Sequence, residues 1–367
     1  MTTLLAAPAA LSDAIAAILD ADGCSEAEAR AVADHLVEAN LCGHDSHGVI
    51  RTQHYHEWLQ TGRIRARRDL AVLRDSGPLL HLDGQDGLGQ WLARRATALG
   101  IERARREGLA LVALRRAGHI GRVGAYAEQA CAAGLISLFF VNVAGSRLVA
   151  PFGSASRCIS TAPVTIGVPN PDGGDFILDF ATSLVAEGKA LVAAQGGKAI
   201  PDNALIDGEG RVTGDPRVLY GETLGTPVPN PRGGAGALRT MGEHKGSGLA
   251  LACELLGGAL TGNGTNAGED RPFGNGIFAI FVDPAPLGGG GGFAAQVADY
   301  VDFVRGSTPA EGVQSVLIPG DKERRLKAER QRDGLPLAAG VLDAIVVLGQ
   351  TLALPISRAG LLMPGAS

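Results

Sequence analysis

Residues Gly43 to Arg51, reading Gly-His-Asp-Ser-His-Gly-Val-Ile-Arg, place two histidines, a serine, an aspartate and an arginine within nine positions. The periodicity after them predicts a helix from His47 to Leu59, with Ser46 as its N-cap and Thr61-Gly62 as its stop. On such a helix His47, Arg51 and Tyr55 fall four residues apart and share one face. An imidazole, a planar cation and a phenol at a helix N-terminus, which itself favours anions, suit a small carboxylate. The same residue types equally suit a solvated, capped helix start.

A second dense stretch is Gly118-His119-Ile120-Gly121-Arg122-Val123-Gly124. His119 lies between glycines at a strand-to-helix junction. Backbone can approach a ligand closely there, and an imidazole titrates near neutral pH. Two further segments read as helix starts able to seat a phosphate or carboxylate: Asp179-Phe180-Ala181-Thr182-Ser183, with its hydroxyls, and His244-Lys245-Gly246-Ser247-Gly248. Lysine is scarce, with none before Lys189, which makes Lys245 worth locating. The usual dinucleotide turn, G-x-G-x-x-G after a strand, is missing: Gly87-Leu88-Gly89 lacks its third glycine, and the spacing around His119 is wrong. A P-loop and a G-x-S-x-G elbow are missing too, although Ser46 and His47 are adjacent. His44, His47, His54 and His56 cluster without a cysteine or glutamate ligand at a familiar spacing, so no metal site is expected.

The elements that must position these groups follow from periodicity and turn residues. Leu11 to Leu19 and Glu26 to Leu41 read as amphipathic helices, the second capped by Ser25. Short strands at Leu70–Leu73 and Leu79–Leu82 precede an Asp83-Gly84 turn and a long helix, Leu88 to Glu107. Buried strands are predicted at Leu109–Leu114 and Ser137–Val143, flanking a helix at Ala125–Ala133, with Asn142 at the end of the second. Strands at Phe176–Phe180 and Gly276–Val282 follow, with helices at Leu249–Leu260, Phe293–Arg305 and Glu323–Gly334 and a flexible run at Gly288–Gly292. This alternation predicts an α/β fold, with ligands at the C-terminal ends of strands. The organisation expected is a helical unit over 1–75, possibly joined by 293–340, then α/β parts over 76–145 (substrate and catalysis) and 146–292 (cofactor).

With 367 residues, 46% hydrophobic and 19% charged, the composition is that of a globular protein. A net charge of -5 argues against nucleic-acid or anionic-membrane partners. Met1 to Asp20 lacks a basic n-region, so no signal peptide is read, and no run is long enough for a membrane span. Five cysteines without paired spacing fit a reducing cytoplasm; Cys131, Cys158 and Cys253 read as core residues.

Four segments together resemble the second type of malate/L-lactate dehydrogenase family, over about Leu11 to Arg325. They are Ser46-His47-Gly48 with Arg51; Gly118-His119-Ile120-Gly121 with Gly124 and Tyr126; Asp179 to Ser183 with Gly188-Lys189; and His244 to Leu249. That family includes ureidoglycolate, sulfolactate and diketogulonate oxidoreductases and cyclic-imine reductases. The resemblance implies a homodimeric NAD- or NADP-dependent oxidoreductase with a non-Rossmann nicotinamide-binding fold of the sulfolactate dehydrogenase-like type: a mixed sheet covered by helices, with a helical N-terminal unit. It implies His47 and His119 as acid–base candidates. It implies Ser46, Arg51, Tyr55 and Asn142 around a small carboxylate substrate, with Arg51 as clamp. It also implies Asp179, Phe180, Ala181, Thr182, Ser183, His244, Lys245 and Gly246 along the cofactor. One departure is Ala162, in Ser160-Thr161-Ala162-Pro163, where many members carry asparagine. Two other readings stay open: a cyclic-imine reductase using the same machinery, and a catalytically silent ligand-binding homologue. Arg147 and Arg157 are candidates to face a cofactor 2′-phosphate.

Overall fold

The capping box expected at Ser25 is realised in the computed structural model. The Glu28 N–H donates to Ser25 Oγ at 3.4 Å, and the Glu28 carboxylate accepts the Ser25 N–H at 2.9 Å. That carboxylate, only 1% exposed as a residue, also accepts the N–H groups of Arg67 and Arg68. One buried charge therefore starts a helix and anchors a distant loop.

The structure describes residues 3–170, 173–194, 196, 198–225, 230–268, 272–287 and 290–364. Strand β1 (Thr3–Ala6) leads into helices α1 (Pro8–Ala21), α2 (Glu26–Leu41) and α3 (Thr52–Gln60). Then come β2 (Ala71–Ser76), β3 (Leu79–Gly87), α4 (Gly89–Glu107), β4 (Leu109–Ala117), α5 (Gly124–Ala132), β5 (Ile136–Ala144), β6 (Val149–Ala150), β7 (Pro163–Val168) and β8 (Phe176–Ala181). Helix α6 (Glu187–Ala194), the short strands β9 (Leu205–Ile206) and β10 (Val212–Thr213), α7 (Arg217–Tyr220), β11 (Ala237–Arg239) and α8 (His244–Cys253) follow. A π-helical segment continues α8 over Glu254–Leu260, and β12 (Gly274–Val282), α9 (Gly290–Arg305), α10 (Asp321–Asp333), β13 (Leu335–Ala338) and α11 (Ala339–Thr351) complete the order used here.

Seven strands form the main sheet in the order β2-β3-β4-β12-β5-β7-β8. Only β3 and β4 run parallel; every other neighbouring pair is antiparallel. The fold is therefore α/β with a mixed sheet covered by helices, as the sequence predicts. The apolar runs become strands because both faces are covered. Ala110, Val112 and Leu114 are buried with Leu92, Ala96 and Ala127 of α4 and α5, while the π segment packs on β5 and β12. A four-stranded sheet, β10-β9-β11-β6, gathers a second core around Leu148, Leu205, Leu219 and Leu238. A third core joins α1 and α2 to Leu335, Leu342 and Ile345, because β13 pairs antiparallel with β1. No helix among the described residues is long and apolar enough to cross a membrane.

Several local expectations are corrected. Asp83-Gly84 is not a turn: β3 continues to Gly87, with a register shift between Asp83 and Gly87 and left-handed backbone at Gln85 and Asp86. Gly290 to Gly292 open α9 instead of extending a loop, while Gly288 and Gly289 lie outside the described residues. Cys158 is exposed, because its short segment only edges β6, whereas Cys131 and Cys253 are buried as expected.

Candidate active site

The His47 segment does not begin a continuous helix. Asp45–His47 and Val49–Arg51 form two 3-10 turns separated by extended Gly48, and α3 starts only at Thr52. Ser46 is thus not an N-cap; its Oγ lies 3.0 Å from His47 Nδ1. The cause is tertiary. Asn40, buried in α2, accepts the Val49 N–H at 2.7 Å and donates to Asp45 Oδ1 at 2.7 Å. Its amide occupies the space a side chain at Gly48 would need, since a Cβ there would lie 2.0 Å from Asn40 Oδ1. Asn40→Ala removes both bonds and leaves a buried N–H without its acceptor. It is expected to cost about 2–3 kcal/mol, read as a lower midpoint in urea denaturation.

His119 is brought to the same place by β4. Tyr55 of α3 reaches it with Oη 2.6 Å from Nδ1, and His47 stacks on it with ring centroids 5.5 Å apart at 19°. Arg51 is near enough to depress the basicity of both rings. The loop carrying His119 is held at several points. Ile120 donates its N–H to Asn275 Oδ1 and offers its carbonyl to Tyr126, and Arg122 donates its N–H to His35 Nε2 at 2.9 Å. Gly89 completes the fit: a Cβ there would lie 2.3 Å from the carbonyl oxygens of both Gly118 and His119. Phe273 and Trp58 wall one side, with ring centroids 5.0 Å apart and Phe273 6.2 Å from His119.

Burial sets the charge state. Loss of hydration, followed by the Arg51 cation, pushes His47 down to about 3 and holds His119 well below the ordinary imidazole value. Both rings are therefore held neutral at neutral pH. His35 is pushed down to about 4, first by burial and then by Arg122, which suits a ring accepting an N–H. Because the unfolded chain protonates His35 near 6.5 and the folded one only near 4, lowering pH through that window favours unfolding. The urea midpoint is expected to fall as pH drops from about 6.5 towards 4. In His35→Gln, measured in the same way, that slope should be shallower.

Arg51 donates Nε to the Ser46 carbonyl at 2.7 Å, and no carboxylate among the described residues pairs with its terminal nitrogens. The other histidines of the cluster disperse. His44 faces Glu323 at 3.5 Å, His56 faces Asp22 at 2.8 Å, and His54 packs edge-on to Trp58. Among the described residues no three histidine, cysteine, aspartate or glutamate groups converge as a metal site would require.

Asn142 is fully buried, but its side chain is not brought to the imidazoles. Its Oδ1 accepts from Asn263, and its amide nitrogen points towards Gly258. Its link to the site is indirect: its carbonyl accepts from Asn275, which also holds Ile120.

The cofactor candidates meet along one seam. Ser183 bridges to Thr240, Leu184 donates to the Arg239 carbonyl and Met241 to the Thr182 carbonyl, so the end of β8 runs beside the start of α8. There His244 and Lys245 are exposed and Gly246 is buried. Gly188, at the first turn of α6, abuts the His47 segment: a Cβ on it would lie 3.1 Å from Ser46 Cβ. The expectation that Thr182 and Ser183 start a helix is corrected, because α6 begins at Glu187. Their hydroxyls are already used: Thr182 donates to the Ala162 carbonyl at 2.9 Å and Ser183 to that of Val185 at 2.9 Å. Asp179 accepts the Gly124 N–H at 2.7 Å and the Thr165 hydroxyl at 2.8 Å, capping α5 from a neighbouring strand. Phe180 and Ala181 continue that strand. Arg157 donates to the carbonyls of Gly236, Gly234 and Leu219, so it is not a surface arginine awaiting a phosphate; Arg147 is exposed. Ala162 is buried at φ +32°, a conformation in which asparagine is more at ease than alanine.

Sequence reasoning missed Asn40, His35, Trp58, Phe273 and Gln90. Gln90 stands directly after Gly89, and its amide donates to Tyr55 Oη at 2.6 Å. The Gly87-Leu88-Gly89 signal is there, but it marks close packing of a helix start on the His119 loop, not a phosphate turn.

A mixed, helix-covered sheet, two stacked imidazoles and a guanidinium with no carboxylate partner among the described residues thus come together on a chain without the dinucleotide turn. A family model described as malate/L-lactate dehydrogenase matches residues 6–346. The chain belongs to that family, whose members act as dehydrogenases on hydroxy acids. It is 37% identical to hydroxycarboxylate dehydrogenase B of Escherichia coli, across 93% of this chain and 92% of that one. The solved sulfolactate dehydrogenase of Methanocaldococcus jannaschii superposes with a TM-score of 0.84 at 30% identity, covering 96% of this chain and 98% of that one. The delta1-piperideine-2-carboxylate reductase of Pseudomonas syringae superposes with a TM-score of 0.80 at 27% identity, covering 94% and 99% of the two chains.

Proposed function

We propose that the protein interconverts a small 2-oxo acid and the corresponding 2-hydroxy acid with NAD or NADP. The observation that carries this reading is an arginine with no acidic partner among the described residues, set beside two neutral, half-buried imidazoles. Such a site lacks an anion, and a substrate carboxylate supplies one. Arg51 grips the carboxylate, and His119 or His47 meets the oxygen at C2. The nicotinamide, when bound, supplies or accepts the hydride. The backbone of Thr182 to Leu184, Gly188 and the start of α8 at His244, Lys245 and Gly246 would hold the cofactor. The exposed Lys245 suits its phosphates.

His119 is the stronger candidate for the acid–base group. Tyr55 fixes its ring from a separate element, whereas the hydrogen bond to His47 comes from the hydroxyl of its own neighbour Ser46. A neutral imidazole whose substrate-facing nitrogen carries no hydrogen can take a proton from an alcohol. For reduction it must first gain one, and a carboxylate on Arg51 cancels the charge that opposes this. The homodimer implied by the resemblance and the reducing cytoplasm read from the cysteines form part of the same reading.

The test is a screen of NADH and NADPH against a panel of small 2-oxo acids, with and without ammonia or methylamine, following loss of reduced-nicotinamide absorbance. Oxidation of either cofactor by an oxo acid alone supports the reading. Turnover confined to oxo acid plus amine, or to cyclic imines, favours an imine reductase, a second reading supported by the likeness to the Pseudomonas syringae enzyme. Cofactor binding with no turnover across the panel would point to a silent homologue.

A further inference from the structure

We propose that Gln90 is a positioning residue that sets, through Tyr55, which nitrogen of His119 carries the proton. This rests on the reading of His119 as the acid–base group. Gln90 and Tyr55 are each 2% exposed, and the three side chains form a chain with two 2.6 Å contacts. The Gln90 amide nitrogen can only donate, so Tyr55 Oη accepts from it and turns its own hydrogen towards His119 Nδ1. Nδ1 is then the acceptor, and the neutral ring carries its hydrogen on Nε2, a nitrogen that no described residue engages. In this form His119 offers a hydrogen bond to a carbonyl oxygen, the species present when a 2-oxo acid binds.

The same chain resists the imidazolium. A second proton, taken from solvent, would sit on Nδ1 and face the Tyr55 hydrogen. Tyr55 must then become the acceptor and direct its hydrogen to another oxygen. A half-turn of the Gln90 amide provides that oxygen, Oε1, without moving any other atom of the chain. The amide orientation therefore selects between the neutral Nε2–H ring, a donor to a carbonyl oxygen, and the rings that carry a hydrogen on Nδ1: the imidazolium, and the neutral form whose bare Nε2 can take a proton from an alcohol. Burial alone cannot make that selection, since desolvation lowers basicity without preferring one nitrogen. Tyr55 itself does not ionise within the working range, because burial raises its phenol well above the ordinary value. It relays the direction of a hydrogen bond without giving up its proton.

The experiment is a long-range proton–nitrogen correlation spectrum of the full-length ¹⁵N-labelled protein, with His119 assigned by the signals lost in His119→Gln. In the wild type Nδ1 should be unprotonated and Nε2 protonated at neutral pH. Gln90→Glu places an acceptor against Tyr55, so it should move a proton onto Nδ1 and raise the acid limb of the kcat–pH profile by about one unit or more, with KM little changed. Tyr55→Phe removes the donor to Nδ1 and should give a mixture of the two neutral forms. A wild-type ring protonated on Nδ1, or a Gln90→Glu spectrum unchanged from wild type, overturns the proposal. The wild-type spectrum needs no turnover and, beyond the assignment variant, no folded Gln90 or Tyr55 variant. It therefore separates failure of this proposal from failure of the oxo-acid reading.

Discussion

Arg51→Met is expected to lower kcat/KM for 2-oxo acids by about two to three decades while leaving the protein folded. The guanidinium lies near both imidazoles and can hold a carboxylate in a fork. Truncating one partner of a desolvated, hydrogen-bonded charge pair costs about 2–5 kcal/mol. Arg51→Lys keeps the charge but loses the planar geometry, and the Nε bond to the Ser46 carbonyl goes with it. Its loss should be roughly a tenth as severe, falling on both KM and kcat. A second readout is independent of substrate. The Arg51 cation is the next cause after burial that holds down His47 and His119, so Arg51→Met should raise the pKa of both rings in an NMR titration. If kinetics and titration are both unchanged, Arg51 is not the clamp.

His119→Ala is expected to cost about two to four decades in kcat, the usual worth of a positioned general acid–base group. The KM for the oxo acid should move much less, because Arg51 remains. His47→Ala should cost distinctly less, since its ring stacks on His119 without a relay of its own. The reverse ranking would exchange the two roles. A diagnostic follows from the neutral resting state. Binding an oxo acid cancels the Arg51 charge, the next cause after burial that holds His119 down, so the proton uptake linked to binding should be larger in the wild type than in His119→Ala. The quantity is readable by calorimetry in buffers of different ionisation enthalpy.

Local signals were legible where the chain itself supplied the partner. Ser25 and Glu28 cap each other three residues apart, and α2 begins where the pattern puts it. The apolar run at Leu109–Leu114 becomes β4. Ser46 shows the opposite case. It has the right type and the right place for an N-cap, yet Asn40, from the preceding helix, takes the Val49 N–H and turns the segment into two 3-10 turns. Thr182 and Ser183 likewise look like free hydroxyls at a helix start, until carbonyls at Ala162 and Val185 claim them. Asp179 spends its carboxylate on capping a helix 55 residues away in the chain.

The sequence by itself singled out His47, Arg51 and His119 as candidates for the chemistry and determined the α/β class and the lack of a dinucleotide turn, because residue type, spacing and periodicity are local properties. Tertiary structure alone decided that Tyr55 meets His119 across 64 residues, that Gln90 stands behind it, and that Asn142 is tied to the His119 loop through Asn275. The physical reason is that a buried polar atom must find a partner wherever the fold puts one. Which donor meets which acceptor is settled by packing between distant segments, and no local pattern encodes it.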